Sequence, residues 1–332
     1  MPDPTPDIAA LLAAALGRPL GATERLAVAV SGGADSLALL HLAASAFPSR
    51  TTALTVDHGL RAASASEAAH VADLCSTINI PHITLRWTGE KRRASLQAAA
   101  RAARYALMGD WCASANVPLL LTAHHADDQA ETLLMQLQRG SGTAGLAGIR
   151  AARPLLPRVT LVRPLLPLRR SALAAIARTA GWTAIDDPSN TDPRYARTAA
   201  RALLAANPSF DVPRIAAIAG HLAQAETALD WIAARAWEGA ATIAPATVCL
   251  DVTGLPAEIV RRLLVRAIIK LTPAARPGGA SITKFAATLK QGGTATLAGV
   301  RGSGGEIWCF SRAAPRRKTR QTAARVGQNR AG

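Results

Sequence analysis

Paired cysteines, a lysine in the phosphate-type loop, a long apolar run and a basic leader are all missing from this chain. Its four cysteines, Cys75, Cys112, Cys249 and Cys309, stand far apart with no CxxC spacing. That argues against a zinc site and a disulfide framework and fits a reducing cytosolic compartment. No HExxH spacing occurs, and adjacent histidines such as His124-His125 diverge, so a zinc reading of that pair is weak. The apolar run from Ile8 to Ala15 follows Asp3 and Asp7 rather than Lys or Arg, and it is too short to span a bilayer. It reads as an amphipathic packing helix, and the chain as cytoplasmic with no membrane partner. No internal repeat is present. Lysine is scarce, at five residues, yet Lys and Arg together number 38 against 22 Asp and Glu, a formal charge of +16. Such a balance favours a polyanionic partner, nucleic acid before anionic membrane. A genomic base composition that enriches arginine and alanine would produce the same excess.

What is present is an alternation of β-like and helix-like runs. Leu26 to Val30, Thr51 to Val56, His82 to Trp87 and Pro118 to Ala123 read as strands. Leu37 to Ala46, Ser66 to Ile78, Ser95 to Ala115 and Asp128 to Leu137 read as the helices between and after them. This pattern predicts an α/β fold, a Rossmann-like parallel sheet with helices on both faces, whose ligands bind beyond the strand C-terminal ends. A Pro- and Arg-containing connector, Pro154 to Pro167, leads to a helix from Ser171 to Ala180. A boundary near Asn207-Pro208 divides a domain of residues 1–207 from a mainly helical domain of residues 208–312. In the latter, Ile215, Ile218, Leu222, Ala225, Leu229, Ile232 and Ala236 predict one long helix with a single apolar stripe, and Leu263 to Leu271 adds another. Gly292 to Phe310 reads as short strands and turns. From Arg312 onward there are seven basic residues and no acidic one, so residues 313–332 read as a disordered basic tail.

Three strand ends carry chemistry-bearing residues. After the first comes Ser31-Gly32-Gly33-Ala34-Asp35-Ser36. Two glycines between a strand and a helix let backbone N–H groups approach a phosphate, and the helix N-terminus adds partial positive charge. The loop holds no lysine, so it is not the Gly-rich lysine loop of ordinary NTPases. Ser31 and Ser36 offer hydroxyls, and Asp35 offers an oxygen to Mg²⁺. After the second strand stands Asp57-His58-Gly59-Leu60-Arg61, where an acid meets ribose hydroxyls in many nucleotide folds or simply caps a turn. After the fourth stands His124-His125-Ala126-Asp127-Asp128-Gln129-Ala130-Glu131-Thr132. Its acids suit a metal or an incoming nucleophile, while Asp128 with Glu131 also has capping-box spacing.

The helix from Ser95 sets Gln97, Arg101, Arg104 and Tyr105 on one face and an apolar set on another. An arginine pair there would supply the charge that the loop lacks, or it forms a solvated basic face. Arg139-Gly140-Ser141-Gly142 is a flexible Gly-rich loop. The turn Asp186-Asp187-Pro188-Ser189-Asn190 leads to Arg194, Arg197 and Arg201, which suit phosphate contact or a solvated face about equally.

With these residues in view, the chain resembles the tRNA(Ile)-lysidine synthases of the PP-loop ATP pyrophosphatase superfamily, over roughly residues 25–200 and more loosely to about 312. Ser31 to Ser36 resembles the superfamily loop, Val56 to Arg61 the second signature, and Gln97 to Tyr105 the third. His124 to Thr132 with Arg139 to Gly142 is the most specific match, and Asp187 to Asp192 resembles the late acidic turn. Where the family usually has Arg-Asn after the tyrosine, this chain has Arg197-Thr198.

The resemblance implies ATP and Mg²⁺ as cofactors, and as partners free L-lysine and a tRNA(Ile) with a CAU anticodon. It implies adenylation of C2 of the wobble cytidine, then lysine attack to give lysidine, which changes codon reading from AUG to AUA. Asp35 would hold Mg²⁺, Ser31, Gly32, Gly33, Ala34 and Ser36 would cradle pyrophosphate, and Asp57 with His58 would lie at the adenosine. Arg101 and Arg104 would contact phosphate or cytidine, Asp128 would serve metal or amine, and Arg194, Arg197 and Arg201 would contact RNA. Two other readings compete. A tRNA thiolase of the same superfamily would need sulfur-handling cysteines, commonly paired, and a non-catalytic RNA-binding protein would release no pyrophosphate.

Overall fold

Along each central strand successive residues are apolar on both sides, which commits the strand to a sheet covered on two faces. The computed structural model describes residues 5–59, 64–89, 96–185 and 196–314. Two compact units divide between Glu226 and Thr227.

The first unit begins with α1 (Ile8–Leu16), capped by the Asp7 carboxylate, and continues through β1 (Leu26–Ala29), α2 (Ala34–Ala46), β2 (Thr51–Asp57), α3 (Ser64–Thr77) and β3 (His82–Arg86). Then come α4 (Leu96–Ser114), β4 (Leu119–Leu121), α5 (Ala126–Gln138) and α6 (Thr143–Leu146). A hairpin, β5 (Ala152–Leu156) and β6 (Val159–Val162), precedes α7 (Arg170–Thr179) and α8 (Ala196–Ala206). The six strands lie in the order β3-β2-β1-β4-β6-β5, all parallel except the edge strand β5. Leu26, Val28, Leu119, Leu121 and Val162 point to one face with α1, α2, α3 and α7. Ala27, Leu54, Leu120 and Leu161 point to the other, against Met108 and Cys112 of α4.

The stretch expected as a connector, Pro154 to Pro167, is thus partly sheet. Pro154 is tolerated because β5 is an edge strand, where its missing N–H costs no ladder bond on the outer side.

The second unit contains the later part of α9 (Val212–Ala240), then β7 (Ala241–Ala244), β8 (Thr247–Asp251), α10 (Ala257–Leu271), α11 (Gly279–Lys290), β9 (Thr294–Leu297), β10 (Val300–Ser303) and β11 (Ile307–Arg312). Its antiparallel sheet runs β7-β8-β11-β10-β9, and Val248, Leu250, Trp308 and Phe310 pack on Leu263, Ile268, Ile282 and Phe285. The expectation of a mainly helical region therefore holds for its helices and misses β7 and β8.

Two further expectations are corrected. Cys249 and Cys309, 60 residues apart in sequence, form a disulfide with an S–S distance of 2.12 Å. They face each other in the β8–β11 register, a closeness that sequence separation hides. On α9 the expected stripe is displaced: Ile218 and Ile232 are exposed, while Val212, Ala219, Glu226, Ala233 and Trp237 are the buried positions. The expected basic tail spans residues 313–332, of which 315–332 lie outside the described residues.

Candidate active site at the strand ends

The loop after β1 is shaped by its own side chains. Ser31 N–H donates to Ser36 Oγ at 3.1 Å, and Ser36 Oγ–H donates to the Gly33 carbonyl at 2.9 Å. Gly32 has φ +85, and a Cβ there would come within 2.6 Å of Ile185 Cδ1, so a side chain is strained there and must displace the end of Ile185. Ile185 N–H donates to the Gly32 carbonyl at 2.9 Å, which pins the loop from outside. At Gly33, by contrast, an added Cβ would meet nothing closer than 3.8 Å. The space beside it is open, and Gly33 opens α2, so the helix N-terminus faces that space.

Asp35 lies in the first turn of α2, and its Oδ1 is buried without a hydrogen-bond partner. Its Oδ2 lies 3.4 Å from His125 Nε2. His125, 2% exposed, is the cap of α5. Its N–H donates to Asp128 Oδ2 at 3.2 Å, and Asp128 N–H approaches its Nδ1 at 3.4 Å. The capping box is therefore His125 with Asp128, one turn earlier than the expected Asp128 with Glu131.

The same ring lies 3.6 Å from Asp127 Oδ2 and 3.5 Å from Asp128 Oδ2. A neutral ring accepts the cap bond at Nδ1, whereas a protonated ring turns Nδ1–H to Asp127. Burial alone pushes the imidazolium down, but the Asp127 and Asp35 carboxylates and the charge of Asp128 outweigh it and hold it up at about 9. The cation is the form at neutral pH; its Nδ1 then donates to Asp127, and the 3.4 Å approach of Asp128 N–H is a contact and not a hydrogen bond. Its neighbour His124 is pushed the other way, to about 3, by burial and by the charges of Arg163, Arg101 and Arg197 against Asp128.

The two adjacent acids share His125 and differ in their arginine partners. Asp127 accepts from Arg169 Nη2 at 3.1 Å and from Arg170 N–H at 2.8 Å, which ties the start of α5 to the start of α7. Burial would raise its carboxyl, but bonds from His125, Arg169 and the Arg170 N–H hold it well below the usual carboxylate range. Asp128 faces His125 and, at 3.4 Å, Arg197. One turn on, the buried Glu131 receives Arg201 Nε at 2.7 Å and has Arg197 Nε at 3.6 Å. Arg197 and Arg201, expected at RNA, are thus engaged with acids of α5, although the Arg197 side chain keeps 41% exposure. Arg194 and the acidic turn lie outside the described residues, as do Leu60 and Arg61.

At the end of β2, Asp57 Oδ1 accepts from Gly59 N–H at 2.8 Å and from Ser64 Oγ–H at 2.9 Å, a turn-forming role. His58 Nε2 is 3.2 Å from Arg104 Nη2, and its ring meets Trp87 edge-on at 5.9 Å. Arg101 instead lies over the Tyr105 ring at 5.2 Å. Gln129 is a residue that motif reading passed over. It bonds both the N–H and the carbonyl of Ile149, and a Cβ on Gly148, at φ +61, would strike its Oε1, so it holds the end of the Gly-rich loop.

A nucleotide-type loop at the C-terminal edge of a parallel sheet, closed by acids on the helix after β4, defines a class. The chain belongs to the PP-loop family, whose domain model matches residues 7–207. It is 48% identical to the tRNA(Ile)-lysidine synthase of Zymomonas mobilis subsp. mobilis, covering 89% of this chain and 90% of that one. It is 43% identical to the tRNA(Ile)-lysidine synthase of Novosphingobium aromaticivorans, covering 91% and 93%. Within the PP-loop class it is a member of the tRNA(Ile)-lysidine synthase family. The U34-tRNA thiolase NcsA of Methanococcus maripaludis, solved with its [4Fe-4S] cluster, shares the fold: the TM-score is 0.53 at 15% identity, over 65% of this chain and 77% of that one. Among the described residues no helix is long and apolar enough to cross a membrane.

Proposed function

We propose that this protein uses ATP to join free L-lysine to C2 of the wobble cytidine in a tRNA(Ile) with a CAU anticodon. Cytidine O2 attacks the α-phosphorus and pyrophosphate leaves. The lysine ε-amine then attacks C2, a proton is lost, and AMP leaves with the former O2. What carries the reading, beyond the family, is the loop: an open space at Gly33 faced by a helix N-terminus, with the unpartnered Asp35 Oδ1 beside it.

Backbone N–H groups of Gly32 and Gly33 and the Ser31 hydroxyl would hold the leaving pyrophosphate, so the α-phosphate faces the acceptor oxygen. Asp35 fits Mg²⁺, because a buried carboxylate oxygen without a donor suits a hard cation that takes its other ligands from phosphates and water. Bound there, Mg²⁺ would neutralise phosphate charge. Asp128 is the carboxylate nearest in role to the metal or the incoming amine. Asp57 and His58 would border the adenosine, and Arg101 and Arg104 would meet phosphate or cytidine. Arg197 and Arg201 would first hold α8 against α5, with the exposed part of Arg197 left for RNA.

The test is incubation with ATP, Mg²⁺ and labelled lysine, with either tRNA(Ile) or tRNA(Met), both carrying CAU anticodons. Label in tRNA(Ile) alone is the expected result. No label in either RNA rejects the reading.

A further inference from the structure

Arg163 directly follows β6 and is 4% exposed, yet its Nε has no hydrogen-bond partner. Its Nη1 donates to the Arg150 carbonyl at 2.6 Å, and the Tyr105 side chain lies close enough to favour its charged form. Two more guanidinium groups lie over the Tyr105 ring, Arg101 at 5.2 Å and Arg153 at 5.6 Å. Among the described residues none of these three arginines has a carboxylate partner, in contrast to Arg169, Arg197 and Arg201. A buried cation without an anion is unfavourable unless a ligand supplies one.

Position separates this cluster from the loop. Val28, Leu121 and Val162 are neighbours across β1, β4 and β6, so the loop after β1 and Arg163 after β6 stand two strand spacings apart, about 10 Å. A polymer whose base reaches the loop must lay its own backbone to one side of it.

We propose that Arg101, Arg153 and Arg163, gathered at Tyr105, form a subsite for a backbone phosphate of the substrate RNA, distinct from the phosphate cradle of the Ser31–Ser36 loop. The inference rests on the reading that the substrate is an RNA. Arg163 fixes one end of the cluster from the core, and Arg153, exposed on the edge strand β5, supplies its outer wall. Burial pushes the Arg163 guanidinium pKa down, as do the charges of Arg153 and Arg101, which an incoming phosphate would relieve.

The experiment measures binding of an unmodified tRNA(Ile) transcript to the full chain over a salt series, and separately ATP binding without RNA. Arg153→Ala is expected to weaken RNA binding about 5- to 20-fold and to make the log K against log salt slope shallower by about 0.7–0.9, one phosphate contact. ATP affinity should stay within about twofold. Arg163→Gln should lower RNA affinity similarly and Arg163→Lys less, both scored only if thermal unfolding matches wild type. The exposed Arg153→Ala carries the test if they do not fold. An unchanged salt slope in Arg153→Ala overturns the subsite, and so does an equal loss of ATP affinity, which assigns the phosphate to the nucleotide. Lysine incorporation by the wild type is read separately. If it fails while the slope shifts, the subsite stands without the ligase reading. If it succeeds and the slope does not move, the subsite alone falls.

Discussion

Arg201 of α8 donates to Glu131 of α5 at 2.7 Å, and the carboxylate it meets is 1% exposed. Removing the arginine leaves a buried charge whose remaining basic neighbour among the described residues is Arg197, at 3.6 Å. Arg201→Ala should therefore cost about 2–4 kcal/mol, below the upper end for buried pairs because Arg201 itself is about a third exposed. Arg201→Lys should recover part of it. Chemical denaturation of the three proteins checks this, and a loss under about 0.5 kcal/mol, the level of a surface pair, contradicts it.

Gly32 is fixed by conformation and by space together. In Gly32→Ala the φ of +85 becomes strained by about 1–2 kcal/mol, and the new methyl displaces Ile185. The expected result is a modest fall in melting temperature with at least about a tenfold loss of ATP affinity, since a fall of 1.4 kcal/mol is tenfold. ATP titration by calorimetry would read it. Unchanged affinity would show that the loop does not hold the nucleotide.

His82 gives a pH signature away from the site. Burial lowers its pKa below the ordinary 6.5, and its Nε2 lies 2.9 Å from Thr55 Oγ1. The unfolded chain binds this proton more readily, so stability rises with pH across the window between the folded value and 6.5. On acidification through that window the native state loses stability, and above it the group contributes no slope. The stability difference between wild type and His82→Gln should be flat above about pH 7.5 and shrink towards pH 5. A difference that stays flat, or grows, contradicts the assignment.

The opening loop was legible because its chemistry is local: an apolar strand, two glycines, a helix start and an acid lie within a dozen residues. Pairings across the fold were not. Arg197 and Arg201 have helical spacing that suits a solvated basic face, and only the packing of α8 on α5 turns them to Asp128 and Glu131. Cys249 and Cys309 meet by strand register. Pro154 and Pro157 break the β pattern so strongly that an edge hairpin reads as a connector, and Arg163 at its end carries no spacing signal at all. On α9 the isoleucines drew the stripe to Ile218 and Ile232, whereas small Ala219 and Ala233 line the buried face. A helix can approach its neighbours most closely along its small residues, and counting large apolar side chains overlooks that.

In the proposed reaction, cleavage at the loop activates the RNA rather than the amino acid. This is tested by incubating the protein with tRNA(Ile) and ATP labelled at the α-phosphate, with lysine withheld. The expected result is α-label attached to the tRNA, released as AMP when lysine is added, and reduced about 10²-fold or more in Asp35→Asn. Label that never joins the RNA, or that appears on lysine instead, would contradict it.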